Sequence, residues 1–583
     1  MQHNEQLSIF WLFRYLKPVK GRLAILLGML LFSTALQLIN PQIVRQFIDT
    51  ASSKGTVSIL LSLAGLYLGV AVCNQLFTVA VSYLGNDVAW RATNRLRSDL
   101  LSHCLRLDMR FHNHKTPGEM IERVDGDVTN MSNFFSMFIV QIIGSFVLLV
   151  GILGYMFVNN GLIAIVMTVF TCISIGVMVS IRDIGVAATQ AERQAKASLL
   201  GLIEERIAGI EDVQANGGVP YVMNRFHRAM RTLFQTGRKA WMLRVVPWNA
   251  TVVLLAITVT VVLLLGLHLY LKGQVTLGTL FLFYQYTQML NDPIEQLGNQ
   301  IQEFQKAKSG MRRSREILST QSEIADGESE GDELPAGALS VEFKQVSFSY
   351  NKDNRVLHDI SFSLQPGERL GLVGRTGSGK TSISRLLLRM YNTDSGTIRV
   401  GGIDIRSVKL SALYRRVGIV TQDVQLFDGT LRDNLTLFNN SVSDQDIHST
   451  IDKLGLRTWL NEQPDGLNTH LSAGGASLSA GEAQLFALTR VFLTKPSLVI
   501  LDEPSSRLDA ATEAALQGAV EQLMEHCTAI VIAHRLSTLE KADKIMVLGH
   551  GCILEFGERE TLAQDPLSYF AKLLRTDRQE ELA

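Results

Sequence analysis

Two stretches of this 583-residue chain carry residues whose types and spacing can do chemistry. The first reads Gly374-Arg375-Thr376-Gly377-Ser378-Gly379-Lys380-Thr381. It lies between an apolar run suited to a buried strand (370–373) and a leucine-rich, helix-forming segment that opens at Ser382. The glycines let successive N–H groups curl inward as an anion nest, and the helix that follows adds the positive end of its dipole. Lys380 can then reach the β- and γ-phosphates of a nucleotide, and the Thr381 hydroxyl can hold Mg²⁺. The second stretch, Ser497-Leu498-Val499-Ile500-Leu501-Asp502-Glu503, is an apolar strand that ends in two carboxylates. Beside a phosphate loop, Asp502 supplies the acidic contact that Mg²⁺ needs, and Glu503 can polarise the water that attacks the γ-phosphate. A glycine-rich turn or a strand end with two solvated acids would say little alone. Together they point to a nucleoside triphosphate and Mg²⁺ as ligands.

The elements around these residues are unlike those of a soluble enzyme. Net charge is zero, mean hydropathy is positive, and the charge is unevenly spread. Residues 23–44, 55–86, 131–181, 245–271 and 273–291 contain no Asp, Glu, Lys or Arg. About 20 apolar residues cross a bilayer as a helix. The run 131–181 is long enough for two crossings and carries Asn159-Asn160-Gly161 at its middle, so the pattern predicts six spans. Lys and Arg set the orientation: residues 87–130 hold seven and 182–244 hold ten, whereas the alternate connections are nearly bare. Both termini and the two long connections are expected in the cytoplasm, with the first span acting as its own insertion signal. The aromatic and basic segment 9–17 reads as an interfacial helix. The five cysteines (73, 104, 172, 527 and 552) lack metal-ligand spacing, and neutrality gives no argument for nucleic acid.

The long connections are helical in pattern, broken at 115–118 and at 216–220. Spans without ionisable groups disfavour an ion relay and suit a bulky, partly apolar cargo. Residues 319–338 hold six acids and no base, which reads as a linker. Strand and helix patterns then alternate to the end. The expected domains are 1–318 (membrane helices), 319–339 (linker) and 340–583 (nucleotide-binding domain).

In its motifs and their order the chain resembles the ATP-binding cassette (ABC) family over nearly its whole length. Tyr350 matches the aromatic that stacks on adenine, Gln422 the glutamine near Mg²⁺, and Leu478-Ser479-Ala480-Gly481-Glu482 the signature motif. Asp509 matches the D-loop, His534 the switch histidine that senses the γ-phosphate, and Ser382 extends the phosphate loop. The resemblance implies a bundle of six transmembrane helices with long cytoplasmic extensions, followed by an α/β P-loop ATPase domain. It implies a half-transporter of the multidrug and lipid exporter type, multi-pass in a bacterial cytoplasmic membrane. Turns near 112–120 and 214–224 would be coupling helices. The working unit would be a dimer, with ATP held between the phosphate loop of one cassette and Ser479 and Gly481 of the other.

Three positions depart from the family pattern. The signature carries Ala480 and Glu482 where the family prefers glycine and glutamine, and Ala473 stands where many members have glutamate. A carboxylate near a triphosphate opposes its binding unless it is paired, so the pattern suggests one subunit of a heterodimer with one strong and one weak ATP site. An importer on the exporter fold, for metal–siderophore complexes for instance, and a non-transporting membrane ATPase are the alternative readings. No motif names a cargo.

Overall fold

A computed structural model describes residues 14–181, 184–324, 334–351, 354–421, 424–472, 478–502, 510–533 and 539–581. Contacts divide the chain into two compact units. One comprises the residues up to Leu105 together with Pro117–Thr320, and the other Arg106–Thr116 together with Gln321–Ala583.

The described residues of the first unit form helices and short connections. Among them five helices are long and apolar enough to cross a membrane: Arg14–Ser52, Val57–Arg106, Pro117–Asn159, Gly161–Met178 and Val219–Leu271. At 1.5 Å per residue the 50 residues of Val57–Arg106 span about 75 Å, more than twice a bilayer's hydrocarbon core. The run 131–181 does break at Asn160, whose backbone is extended (φ −156°, ψ 103°) and whose side chain accepts the Ile163 N–H at 3.2 Å. Two π turns, Glu122–Gly126 and Phe138–Ile143, interrupt the third long helix.

The sixth expected span differs from the other five. It is built as Leu277–Met289 and Asn291–Ser319, joined at Leu290. Leu290 keeps a helical backbone (φ −72°, ψ −20°), but Pro293 has no N–H to give the Met289 carbonyl, which accounts for the break. The start of this element is anchored by Asp49 of the first long helix. Its carboxylate accepts the Gly278 N–H and the Thr276 hydroxyl, both at 2.8 Å, a favourable place for negative charge. Gly278 cannot carry a side chain there, since a Cβ would lie 2.3 Å from the Arg45 carbonyl. Elsewhere Arg313 grips both carboxylate oxygens of Asp127, whose side chain is 1 % exposed. Arg313 itself is 40% exposed, and losing it would leave the Asp127 carboxylate buried without its charge partner, which is costly. Residues 1–13, which include most of the expected interfacial helix, lie outside the described residues.

The second unit is α/β. Strands β1 (Val341–Asn351), β2 (Asn354–Leu364), β3 (Arg369–Gly374), β4 (Ser395–Val400), β5 (Ile403–Asp404) and β6 (Val417–Val420) come first. They are followed by β7 (Gly429–Thr430), β8 (His470–Leu471), β9 (Leu498–Asp502), β10 (Thr528–Ile532), β11 (Lys544–Gly549) and β12 (Cys552–Glu558). An antiparallel sheet has the order β2-β1-β4-β5, and a second sheet the order β12-β11-β3-β10-β9-β6. In the second sheet every pairing is parallel except β11 with β12. Its inner strands are buried along nearly their whole length, as strands covered on both faces must be. Helices Leu431–Thr436, Asp444–Lys453, Arg457–Glu462 and Ala480–Thr494 pack on one of its faces around Leu435, Ile451, Leu485 and Leu488.

Candidate active site

The phosphate-loop residues leave the carboxyl end of β3 and run into the helix Lys380–Leu387. Gly377 (φ +82°) and Gly379 (φ +106°) take left-handed backbone, which glycine adopts without penalty. Space is as restrictive as torsion at two glycines: a Cβ on Gly379 would meet Leu357 Cδ2 at 2.6 Å, and one on Gly374 the Leu548 carbonyl at 2.4 Å. Arg375, Thr376 and Gly377 form the exposed crest, Thr381 is also exposed, and Ser378, Gly379, Lys380 and Ser382 are buried.

Lys380 folds back on the loop and donates from Nζ to the Gly374 carbonyl at 2.6 Å and the Arg375 carbonyl at 3.3 Å. Burial pulls its ammonium below the usual lysine range, and the Asp502 charge partly offsets that. A triphosphate would offset it further. Ser378 Oγ, buried, has no hydrogen-bond partner among the described residues. An ammonium held by loop carbonyls and an orphaned hydroxyl are groups that an anion in the loop would satisfy. Strand register brings Asp502 to the same place: Ile532 of β10 pairs with Leu372 of β3 on one side and Asp502 of β9 on the other. Asp502 therefore lies two strand spacings, about 10 Å, from the strand that feeds the loop.

Tyr350 stands over this helix. Its hydroxyl lies 3.1 Å from Ser382 Oγ and accepts from Arg385 Nη1 at 3.2 Å, and Tyr391 meets its ring edge-on at 5.1 Å. The short helix Met109–His114 belongs to this unit, and sequence reasoning gave no sign of what holds it. Asp108 caps it by accepting the Phe111 N–H at 3.0 Å and also accepts the Glu323 N–H at 2.7 Å. Arg110 pairs with the Glu323 carboxylate at 2.7 Å, and Asn113 donates to the Tyr391 hydroxyl. A cavity of about 330 Å³ opens between Arg110, His114, Tyr350, Arg385 and Tyr391.

The signature stretch opens the helix Ala480–Thr494 with Ser479 as N-cap. Ser479 Oγ accepts the Glu482 N–H at 3.3 Å, while the Glu482 carboxylate accepts the Ser479 N–H at 2.7 Å and the Trp459 indole N–H at 2.8 Å. This is a capping box, which Glu and Gln serve alike. The carboxylate expected to oppose a triphosphate is thus held by two donors, and Gly481 is buried beside it. From the far part of the same helix Arg490 reaches the loop after Gln422, donating to the Gln425 carbonyl at 2.9 Å and the Asn434 carbonyl at 2.8 Å. Asn434 in turn clamps both backbone groups of Phe427, each at 2.8 Å. No motif marks Trp459, Arg490 or Asn434. Only the need of a buried helix start and an irregular loop for partners could have signalled them. Gln422, Glu503, Asp509 and His534 lie outside the described residues.

Two family models match. The ABC transporter transmembrane region matches residues 23–294, and the ABC transporter model matches residues 357–506. A fatty acid ABC transporter ATP-binding/permease protein of Mycobacterium bovis is 32% identical over 525 residues, covering 90% of this chain and 82% of its own. A multidrug resistance ABC transporter ATP-binding and permease protein of Lactococcus lactis is 28% identical, covering 95% and 92%. A bacterial Atm1-family ABC exporter with ATP bound has the same fold, with a TM-score of 0.79 over 96% of this chain and 98% of that one, at 23% identity.

Proposed function

Because the chain belongs to the ABC transporter family, with its transmembrane region and ATP-binding domain in one polypeptide, we propose that it is one subunit of an ATP-driven exporter of bulky, partly apolar cargo. The observation that carries this reading is the phosphate loop, with Lys380 and Ser378 arranged for an anion and Asp502 level with them, in a chain whose described residues also include five membrane-length helices. The N–H groups of residues 374–381 and the Lys380 ammonium bind and orient the phosphates of ATP, and Tyr350 stacks on its base. Mg²⁺, when bound, neutralises phosphate charge; Thr381, Asp502 and Gln422 supply hard oxygen donors suited to it. Glu503 takes a proton from the attacking water, and His534 reports on the γ-phosphate.

In this reading two cassettes close on ATP, with Ser479, Gly481 and Asp509 of each facing the nucleotide of the other. Closure reaches the spans through the turns near 112–120 and 214–224, and alternating access follows. The pair Phe427 and Phe438, exposed by 48% and 52% with ring centroids 6.1 Å apart, suits the docking of such a turn from the partner subunit. Both termini lie in the cytoplasm. The partner is proposed to be a different chain. With Glu482 capped, that part of the proposal rests on Ala480.

One experiment with several arms tests this. Inverted membrane vesicles carrying the chain with its co-expressed partner should take up a fluorescent amphiphile when ATP is added, and Lys380→Ala should abolish uptake. A cysteine pair joining residue 217 to residue 438 across subunits should arrest uptake on oxidation. Vesicles carrying the chain alone should show little uptake. Full activity of the chain alone would remove the heterodimer, and efflux in place of uptake would reverse the direction. ATP hydrolysis without movement of any probe would leave a membrane ATPase.

A further inference from the structure

We propose that Trp459 is a positioning residue for the signature motif: its indole N–H latches the Glu482 carboxylate to the start of its own helix, and this lets an acidic residue stand beside a partner's triphosphate. The proposal rests on the reading of the chain as an ABC subunit whose signature faces ATP across a dimer.

Both oxygens of Glu482 are engaged, Oε2 by the Ser479 N–H at 2.7 Å and Oε1 by Trp459 Nε1 at 2.8 Å. Burial alone would raise the carboxyl's pKa, but the hydrogen bonds from Ser479 and Trp459 outweigh it and hold the group below the usual glutamate range. The charge is therefore present at neutral pH, and its placement matters. Any rotation that carries it toward a phosphate at Ser479 and Gly481 must break one of the two bonds. The Ser479 hydroxyl is part of the same cap: it accepts the Glu482 N–H and hydrogen-bonds the Glu482 carboxylate. The second bond spans 23 residues and joins the helix Arg457–Glu462 to the signature helix. A cavity of about 340 Å³ adjoins the pair, lined by Leu435, Ile451, Leu456 and Phe486, so an unlatched carboxylate has room to turn. Phenylalanine at 459 keeps an aromatic ring but removes the donor together with part of the indole's volume, which the double variant below controls for.

The test uses the full-length chain in its dimeric complex, reconstituted in lipid nanodiscs, with occupancy of each nucleotide site measured against the concentration of labelled ATP. Trp459→Phe should raise the ATP concentration that half-fills the site facing this signature at least about fivefold, the effect of one free carboxylate about 4 Å from one phosphate charge even at the dielectric of bulk water. Added salt should shrink that defect through screening. Glu482→Gln alone should change it by about twofold at most, because Gln still serves the capping box. The double variant Trp459→Phe/Glu482→Gln should return to the Glu482→Gln value, which a merely structural loss of the indole would not do. A Trp459→Phe complex with wild-type ATP dependence overturns the proposal, as does any defect, folding included, that Glu482→Gln fails to rescue. A wild-type complex that binds no ATP removes the ABC reading and this proposal with it.

Discussion

Replacing Glu503 by Gln is expected to cut ATP hydrolysis at least about 100-fold while ATP still binds. The change keeps size and hydrogen bonding and removes only the carboxylate proposed to polarise the attacking water, and general-base contributions begin near that factor. The phosphate loop, Lys380 and Asp502 are untouched, so labelled ATP should stay bound and the dimer should accumulate closed. Turnover of purified Glu503→Gln complex near the wild-type rate would remove Glu503 from the mechanism.

The second large effect belongs to Gly379. Alanine there must hold φ near +106° and place its Cβ 2.6 Å from Leu357 Cδ2. Left-handed backbone costs a non-glycine residue about 1–2 kcal/mol, and the contact with a buried leucine adds to it. The loop escapes by moving, and the N–H groups of residues 377–381 then no longer converge. Nucleotide affinity should fall at least about 100-fold, because several charge-assisted hydrogen bonds are lost together. Gly377 provides the internal control. It also has positive φ (+82°), but a Cβ there meets nothing within 4 Å. Gly377→Ala should therefore weaken binding clearly less than Gly379→Ala in a titration with labelled ATP, and the reverse order would contradict this geometry.

Local patterns in the chain announced the parts of the fold that local physics decides. A charge-free run of membrane length has few alternatives to a span, and Asn159-Asn160-Gly161 marked the turn inside the longest one. The phosphate loop and Asp502 were legible because each is a short stretch whose neighbours show whether strand or helix surrounds it. The break at Leu290 was less so: Pro293 was visible, but a proline can kink, end or start a helix. Least legible were pairings across long sequence separations between residues of no motif. Trp459 with Glu482, Arg490 with Asn434, and Asn113 with Tyr391 are separated by 23, 56 and 278 positions. Nothing in the amino-acid pattern ties such residues together before the fold does. That is why Glu482 read as an unpaired charge on sequence alone and stands as a cap in the structure.

The knot around Glu323 bears on how such transporters can be recombined. By chain position the segment Arg106–Thr116 is part of the membrane half, yet its partners are Glu323 in the linker and Tyr391 beyond it. A crossover between related genes placed before Glu323 would inherit Asp108, Arg110 and Asn113 from one parent and these partners from the other, and one placed later in the linker would still part Asn113 from Tyr391. In this chain the compact unit that holds the sheets is discontinuous, and a chimera that keeps these contacts carries an eleven-residue graft from the first long connection along with the C-terminal domain.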